Sequence, residues 1–337
     1  MEHCIPNDCS SGVSRGNNLI TKDDVKGFLR KIKRQRRANR HTGTEAASLY
    51  SILRNEKIVR AQQGLACATI LKDEAPYLEE WIEFHVLVGF EHFYIYDNGS
   101  TDGTLDVLAP YIRKNIVTVI PWKNFSGKLH PQKAANAHAV ANFADACRWM
   151  AFFDVDEFLF SPTHKTLLEP LEKLGDQICV SVPWQNFGTN GHKTAPDGLV
   201  IENYTEKAEF PPLPAQRSLL RYKTILDPTR VSAAGTHAFH YVDSGPMLMN
   251  VKGTRAAPAE FEDREFAIAN DFQLNHYFTR SEEELENKRQ KGRVSSKGDK
   301  VIDFVDNRLK QYALSTCTDI KILTFVGDLK NVMMHKR

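Results

Sequence analysis

The sequence predicts an α/β fold, a mostly parallel sheet flanked by helices with an irregular region after it. Three observations predict it. Between residues 65 and 153, strand-like apolar runs alternate with helically periodic segments four times, the pattern of parallel βαβ units. Three of the four predicted strands end in polar turns, where ligands of such sheets collect. Beyond Phe160 the alternation loosens, and Pro183 to Pro214 is rich in Gly, Pro and Asn, which reads as irregular loops over a site.

Leu65 to Leu71 is a short apolar run ending at Lys72-Asp73-Glu74 and reads as a buried strand. Pro76 suits a first helical turn, and Leu78, Trp81, Ile82, His85 and Val88 recur at helical spacing until Gly89. Phe93 to Tyr96 forms the second strand, followed by the turn-rich Asp97 to Gly103 and a helix from Thr104 to Arg113. Ile116 to Ile120, a helix over Gln132 to Ala146, and Trp149 to Phe153 complete the series. Later, Ser281 and Glu284 form a capping box, with Glu284 four residues before Lys288.

The chain has 337 residues, 42% hydrophobic and 26% charged, enough for about two domains or one α/β domain with an appendage. Six scattered cysteines show no metal-ligand spacing, which predicts buried free thiols rather than disulfides or zinc. No run approaches the roughly 18 apolar residues of a membrane span, and Met1 to Gly12 lacks the core of a signal peptide. A cytoplasmic location is the expectation. Residues 1–41 hold ten Lys/Arg against four Asp/Glu, a net of +6, and the remainder carries −4. Seven of these bases lie between Arg30 and Arg40, a density suited to peripheral contact with an anionic membrane through residues 30–40. With almost no aromatics to stack on bases, the segment does not predict a nucleic-acid partner.

Asp154-Val155-Asp156 directly follows an apolar strand. In an extended chain carboxylates two apart face the same way and can share one cation. Hard oxygen donors suit Mg²⁺ or Mn²⁺. Asp97 opens a turn whose glycines permit close backbone approach, and its carboxylate suits hydrogen bonds from a nucleoside or closure of its own Asx-turn. Trp184 and Phe187 suit stacking on a sugar ring or anchoring of their loop.

These motifs in order, together with Trp184 to His192, Lys223 to Pro228 and Asn275-His276-Tyr277 followed by Ser281 and Lys288, resemble glycosyltransferases of the type-A fold, and specifically family 92. The resemblance covers about residues 65–295 and implies a domain at 61–295 between a basic leader (1–60) and a C-terminal extension (296–337). It implies metal-dependent, inverting transfer of a sugar from a nucleotide-sugar donor, a UDP-sugar such as UDP-galactose, to a hydroxyl of a glycan or lipid-linked acceptor, as in polysaccharide biosynthesis. Carried over by position, Lys72, Glu74, Asp97, Gln132, Asn136 and Asp154 would line the donor site. Asp154, Asp156 and His276 would hold the Mn²⁺ or Mg²⁺, with His237 and His240 as rivals of His276. Lys133 would face phosphate or solvent. The catalytic base would be Glu202 or Asp197, with Asp243, Glu260 and Asp263 also open. A nucleotidyltransferase would show a Gly-rich basic loop after the first strand, which Lys72-Asp73-Glu74 is not. The other alternative is a catalytically degenerate module of this fold that binds carbohydrate or serves as a scaffold.

Overall fold

The computed structural model describes residues 50–52, 58–123, 129–211, 220–242, 244–256, 265–267, 269–291 and 316–335. The predicted series is present as β1 (Leu65–Leu71), α1 (Ala75–Leu87), β2 (His92–Asp97), α2 (Thr104–Arg113), β3 (Val117–Pro121), α3 (Pro131–Phe143) and β4 (Trp149–Phe152). β1 pairs in parallel with β2 and β4, and β2 with β3. Leu65, Cys67, Phe93, Ile95, Trp149 and Ala151 bury on one face, and Ala66, Ala68, Tyr94, Tyr96, Met150 and Phe152 on the other. Period-two alternation with both faces apolar requires a cover on each side. Trp81 and Phe84 of α1 with Leu108 of α2 supply one cover. The alanines of α3 supply the other, their small side chains suiting close approach to Ala66 and Ala68.

The sheet continues beyond the predicted half. Its full order is β3-β2-β1-β4-β8-β6-β13-β5, with β5 at Glu157–Phe160, β6 at Cys179–Asn186, β8 at Tyr222–Leu226 and β13 at Gln273–His276. Only β8 and β5 run against the other six strands. The expectation of an irregular Pro183 to Pro214 is therefore corrected at its start, because Pro183 to Asn186 end the interior strand β6. Proline has no N–H for a ladder and argues against a central strand. Here its neighbour Trp184 donates from its backbone to the Arg221 carbonyl at 2.8 Å.

The described residues form two smaller sheets besides this one. β9 (Val231–Ala233), β10 (Phe239–Tyr241), β11 (Ser244–Met249) and β12 (Arg255–Ala256) form one, packed through Phe239, Met247 and Met249 into the core shared with α3. Ile52 joins its edge by donating to the Ser232 carbonyl. β7 (Glu206–Ala208) pairs with β14 (Thr316–Thr318). The helices α4 (Leu168–Glu172), α5 (Val200–Asn203), α6 (Glu282–Lys291) and α7 (Val326–Met334) follow. Leu329 of α7 and Phe325 just before it enter the core beside α1, Phe325 lying 5.4 Å from Phe84. Among the described residues no helix is long and apolar enough to cross a membrane. Cys67, Cys147 and Cys179 are buried free thiols and Cys317 is an exposed one, while Cys4, Cys9 and the basic stretch 30–40 lie outside the described residues.

Helix α1 closes the outer edge of β5. Trp81 donates through Nε1 to the Glu157 carbonyl at 2.8 Å, and the Leu159 amide donates to His85 Nε2 at 3.1 Å. His85 returns Nδ1–H to the Trp81 carbonyl at 2.7 Å, so both ring nitrogens are satisfied only when the imidazole is neutral. Burial pulls its pKa down from 6.5 to about 3. Since the unfolded chain then binds the extra proton, this contribution is intact above about pH 6.5 and is lost as the pH falls toward 3. His85→Phe keeps the volume but orphans a buried amide. It should cost about 2 kcal/mol by chemical denaturation near neutral pH, with the gap to wild type narrowing in acid.

Candidate functional site

Parallel strands bring their carboxyl ends to one edge, and the polar residues collect there. Leu71 of β1 and Asp97 of β2 are register partners, as are Asn186 of β6 and His276 of β13. β5 runs the other way and so places its first residue, Glu157, opposite His276. β8, also reversed, contributes Lys223 from its amino end.

The acidic motif is a turn, not the end of a strand. β4 stops at Phe152, and the Glu157 amide donates to the Asp154 carbonyl at 3.1 Å. The expectation that alternation aligns Asp154 with Asp156 is thereby corrected, and the turn separates their partners. Asp154 accepts from Gln132 Nε2 at 3.0 Å and from Lys223 Nζ at 2.8 Å. Asp156 accepts from Lys288 Nζ at 2.9 Å, and its Oδ1 lies 3.7 Å from His276 Nε2. Glu157 is fully buried, with Oε2 taking the Asp154 amide at 3.0 Å. Among the described residues its Oε1 has no hydrogen-bond partner, and it lies 3.5 Å from Lys223 Nζ and 4.0 Å from His276 Nε2.

Donor atoms of Asp156, Glu157 and His276 all fall within 4.8 Å of one another. Two carboxylates and an imidazole are a donor set for Mn²⁺ or Mg²⁺-type ions. The orphaned Glu157 oxygen is the kind of buried atom such an ion would satisfy. The charges are graded across the group. Burial drives the Glu157 carboxyl well above its ordinary range, with Asp154 and Asp156 adding to the effect and Lys223 opposing it. Burial acts the same way on Asp156, yet Lys288 and Arg280, joined by His276 when its ring is protonated, hold its carboxyl far below the usual range. Lys223 stays protonated because Asp154 and Glu157 outweigh the cost of burying it.

Around this group the late motif folds back. Ser281 and Glu284 form the predicted capping box, the Glu284 amide donating to Ser281 Oγ at 3.3 Å and Ser281 N–H to Glu284 Oε2 at 3.1 Å. Lys288 leaves its anticipated partner Glu284 and reaches Asp156 and the Phe278 carbonyl. Arg280 sits at φ 47°, a left-handed conformation that costs of order 1–3 kcal/mol for a non-glycine residue. Its buried guanidinium stacks 3.5 Å over the Tyr77 ring and faces Glu74 at 3.6 Å.

The residues expected on the donor side divide. Asp97 is buried at the end of β2, with Oδ1 accepting the Ser100 amide at 2.9 Å as in an Asx-turn. That turn is stitched to the first by Asp73, which accepts from the Thr101 amide, and by Asp102, which accepts from the Ala75 amide at the start of α1. Lys72 is exposed beyond β1, while Glu74 is engaged with Arg280. Asn136 donates to the Gly235 carbonyl at 2.8 Å. Gly235 is required there, since a Cβ would lie 1.7 Å from the Ala238 carbonyl oxygen. His237 bonds the Tyr222 carbonyl through Nδ1, and His240 lies near Lys133 rather than in the Asp156 group.

On the other side, Glu202 is exposed and paired with Lys330 of α7 at 2.7 Å. The Asp197 side chain is exposed and its carbonyl accepts from Asn203. Beneath them Glu80 accepts from the Val200 and Ile201 amides, and burial lifts its pKa to about 7. Phe187 is fully buried, 4.8 Å from the Tyr277 ring, so it anchors its segment and offers no face to a sugar. Trp184 packs 4.2 Å from the His276 ring. Asp243, Glu260 and Asp263 lie outside the described residues. Reading the sequence missed Glu157, Asn186 and Arg280. A lone lysine inside the otherwise apolar Tyr222–Leu226 was the available signal for Lys223.

Comparison with known protein families identifies one family. The model of glycosyltransferase family 92 matches residues 65–312. A family 92 protein of Arabidopsis thaliana is 29% identical over 205 residues, a match covering 57% of this chain and 33% of that protein. A galactan beta-1,4-galactosyltransferase of the same plant is 33% identical over 103 residues, covering 29% of this chain and 20% of the relative. The chain thus spans about a third or less of these two relatives. Among solved structures, glucosyl-3-phosphoglycerate synthase from Mycobacterium tuberculosis in complex with Mn²⁺, UDP and glucosyl-3-phosphoglycerate overlaps with a TM-score of 0.27 and 20% identity, over 37% of this chain and 45% of that one.

Proposed function

The chain belongs to glycosyltransferase family 92, and from that premise we propose that it transfers a hexosyl group from a UDP-sugar to a hydroxyl of a glycan or glycolipid, with inversion. The partial likeness to a galactan galactosyltransferase favours galactose as the sugar. The observation that carries the reading is the meeting of Asp156, Glu157 and His276 at the same sheet edge as Asp97. Asp156 and His276 would hold Mn²⁺ or Mg²⁺, with Glu157 beside them and Asp154 tied to Gln132 and Lys223. When bound, the ion neutralises charge on the departing diphosphate.

The chain's own residues do the rest. Asp97, with the exposed Lys72 beside its turn, would take the nucleoside, while Gln132 and Asn136 at the start of α3 would border the ribose and diphosphate. Lys288, 28% exposed and bonded to Asp156, would bring a cation to the diphosphate side. The acceptor would lie against the segment following β6. There Glu202 or Asp197 would take the hydroxyl proton as the oxygen attacks the anomeric carbon from the face opposite UDP. We assign the basic stretch 30–40 to peripheral contact with an anionic membrane that presents the acceptor. UDP titrations with and without Mn²⁺ test the donor half of this reading.

A further inference from the structure

One buried contact of His276 serves neither the sheet ladder nor the core. Asn186 ends β6 as the direct register partner of His276, and the Phe187 amide locks the pair by donating to the His276 carbonyl at 3.0 Å. The two side chains, 5% and 3% exposed, meet with Asn186 Oδ1 at 3.0 Å from His276 Nδ1. An amide oxygen can only accept, so this contact requires the proton on Nδ1, and in the neutral ring that leaves the lone pair on Nε2. The Trp184 ring, 4.2 Å away, limits rotation of the imidazole. Nε2 then faces Asp156 Oδ1 at 3.7 Å and Glu157 Oε1 at 4.0 Å.

We propose that Asn186 is a positioning residue: its amide oxygen fixes His276 as the Nδ1–H tautomer and so presents Nε2 as a metal ligand toward Asp156 and Glu157. The assignment rests on the metal reading above and adds the residue that prepares the ligand. Outer partners of ligating histidines fix ring orientation in this way, and losing one typically lowers metal affinity by about 10- to 100-fold.

Two measurements test it. In metal-free wild-type protein, side-chain ¹⁵N–¹H correlation spectra should report His276 with its proton on Nδ1, and a proton on Nε2 instead would overturn the proposal without any variant. Calorimetric titration of Mn²⁺ in saturating UDP should show Asn186→Leu weakened about tenfold or more, and Asn186→Asp, which keeps an oxygen acceptor, within a few-fold of wild type. Wild-type Mn²⁺ binding with equal affinity in Asn186→Leu would sink this proposal and leave the metal reading standing. No Mn²⁺ binding by the wild type would remove both.

Discussion

Asp156→Ala is expected to lower Mn²⁺-dependent sugar transfer at least about a hundredfold, the scale of losing one well-placed electrostatic group, and to remove the gain that Mn²⁺ gives UDP binding. Asp156 is the carboxylate on which Lys288, His276 and Arg280 converge, and the cations Lys288 and Arg280 keep it ionised despite burial. The fold should tolerate the change. Lys288, released from Asp156, is 28% exposed and can be hydrated, and the backbone bond from the Tyr277 amide to the Asp156 carbonyl is unaffected. Denaturation midpoints close to wild type, alongside lost binding, are the expected pair of results. Full binding by the variant would move the ion elsewhere.

The second large effect concerns stability. Lys223→Met should cost about 3 kcal/mol in chemical denaturation, because removing one partner of a buried ion pair strands the other. Lys223 is buried against Asp154 at 2.8 Å and Glu157 at 3.5 Å, and Asp154 is 38% exposed, so water absorbs part of the loss. Adding Asp154→Asn should restore only the share that Asp154 carries, since the buried Glu157 keeps its lost partner. A single variant as stable as wild type would mean that Lys223 serves ligands rather than the fold.

The half of the sheet built from β1 to β4 was legible because each strand is an apolar run set off by periodic helices, a local signal that burial on both faces demands. The other half was not. Pro183 disguised β6, and β13 carries Gln273 and Asn275 on one side, where a buried network through Asp319 and Tyr277 satisfies them. Gln273, Asn275 and Tyr277 lie two apart, but the anchor Asp319 is 46 residues from Gln273 and leaves no local trace. The site shows the same division. The acidic triplet after β4 stood out, but its geometry depended on a turn and on partners 69 and 132 residues away, Lys223 and Lys288. Long-range pairs of this kind leave no periodic trace. Phe187 stayed open for a related reason: an aromatic in a Gly-rich stretch suits sugar stacking or loop anchoring, and only its packing against Tyr277 selects the anchor.

The most direct test of the central claim, a metal-supported nucleotide site built on Asp156, Glu157 and His276, is calorimetric titration of the full chain with UDP in the presence and absence of Mn²⁺. The account predicts saturable UDP binding that strengthens at least about tenfold with Mn²⁺, a coupling of about 1.4 kcal/mol, and that loses this gain in Asp156→Ala. UDP binding that is absent with Mn²⁺ present, or identical with and without it, would contradict the account.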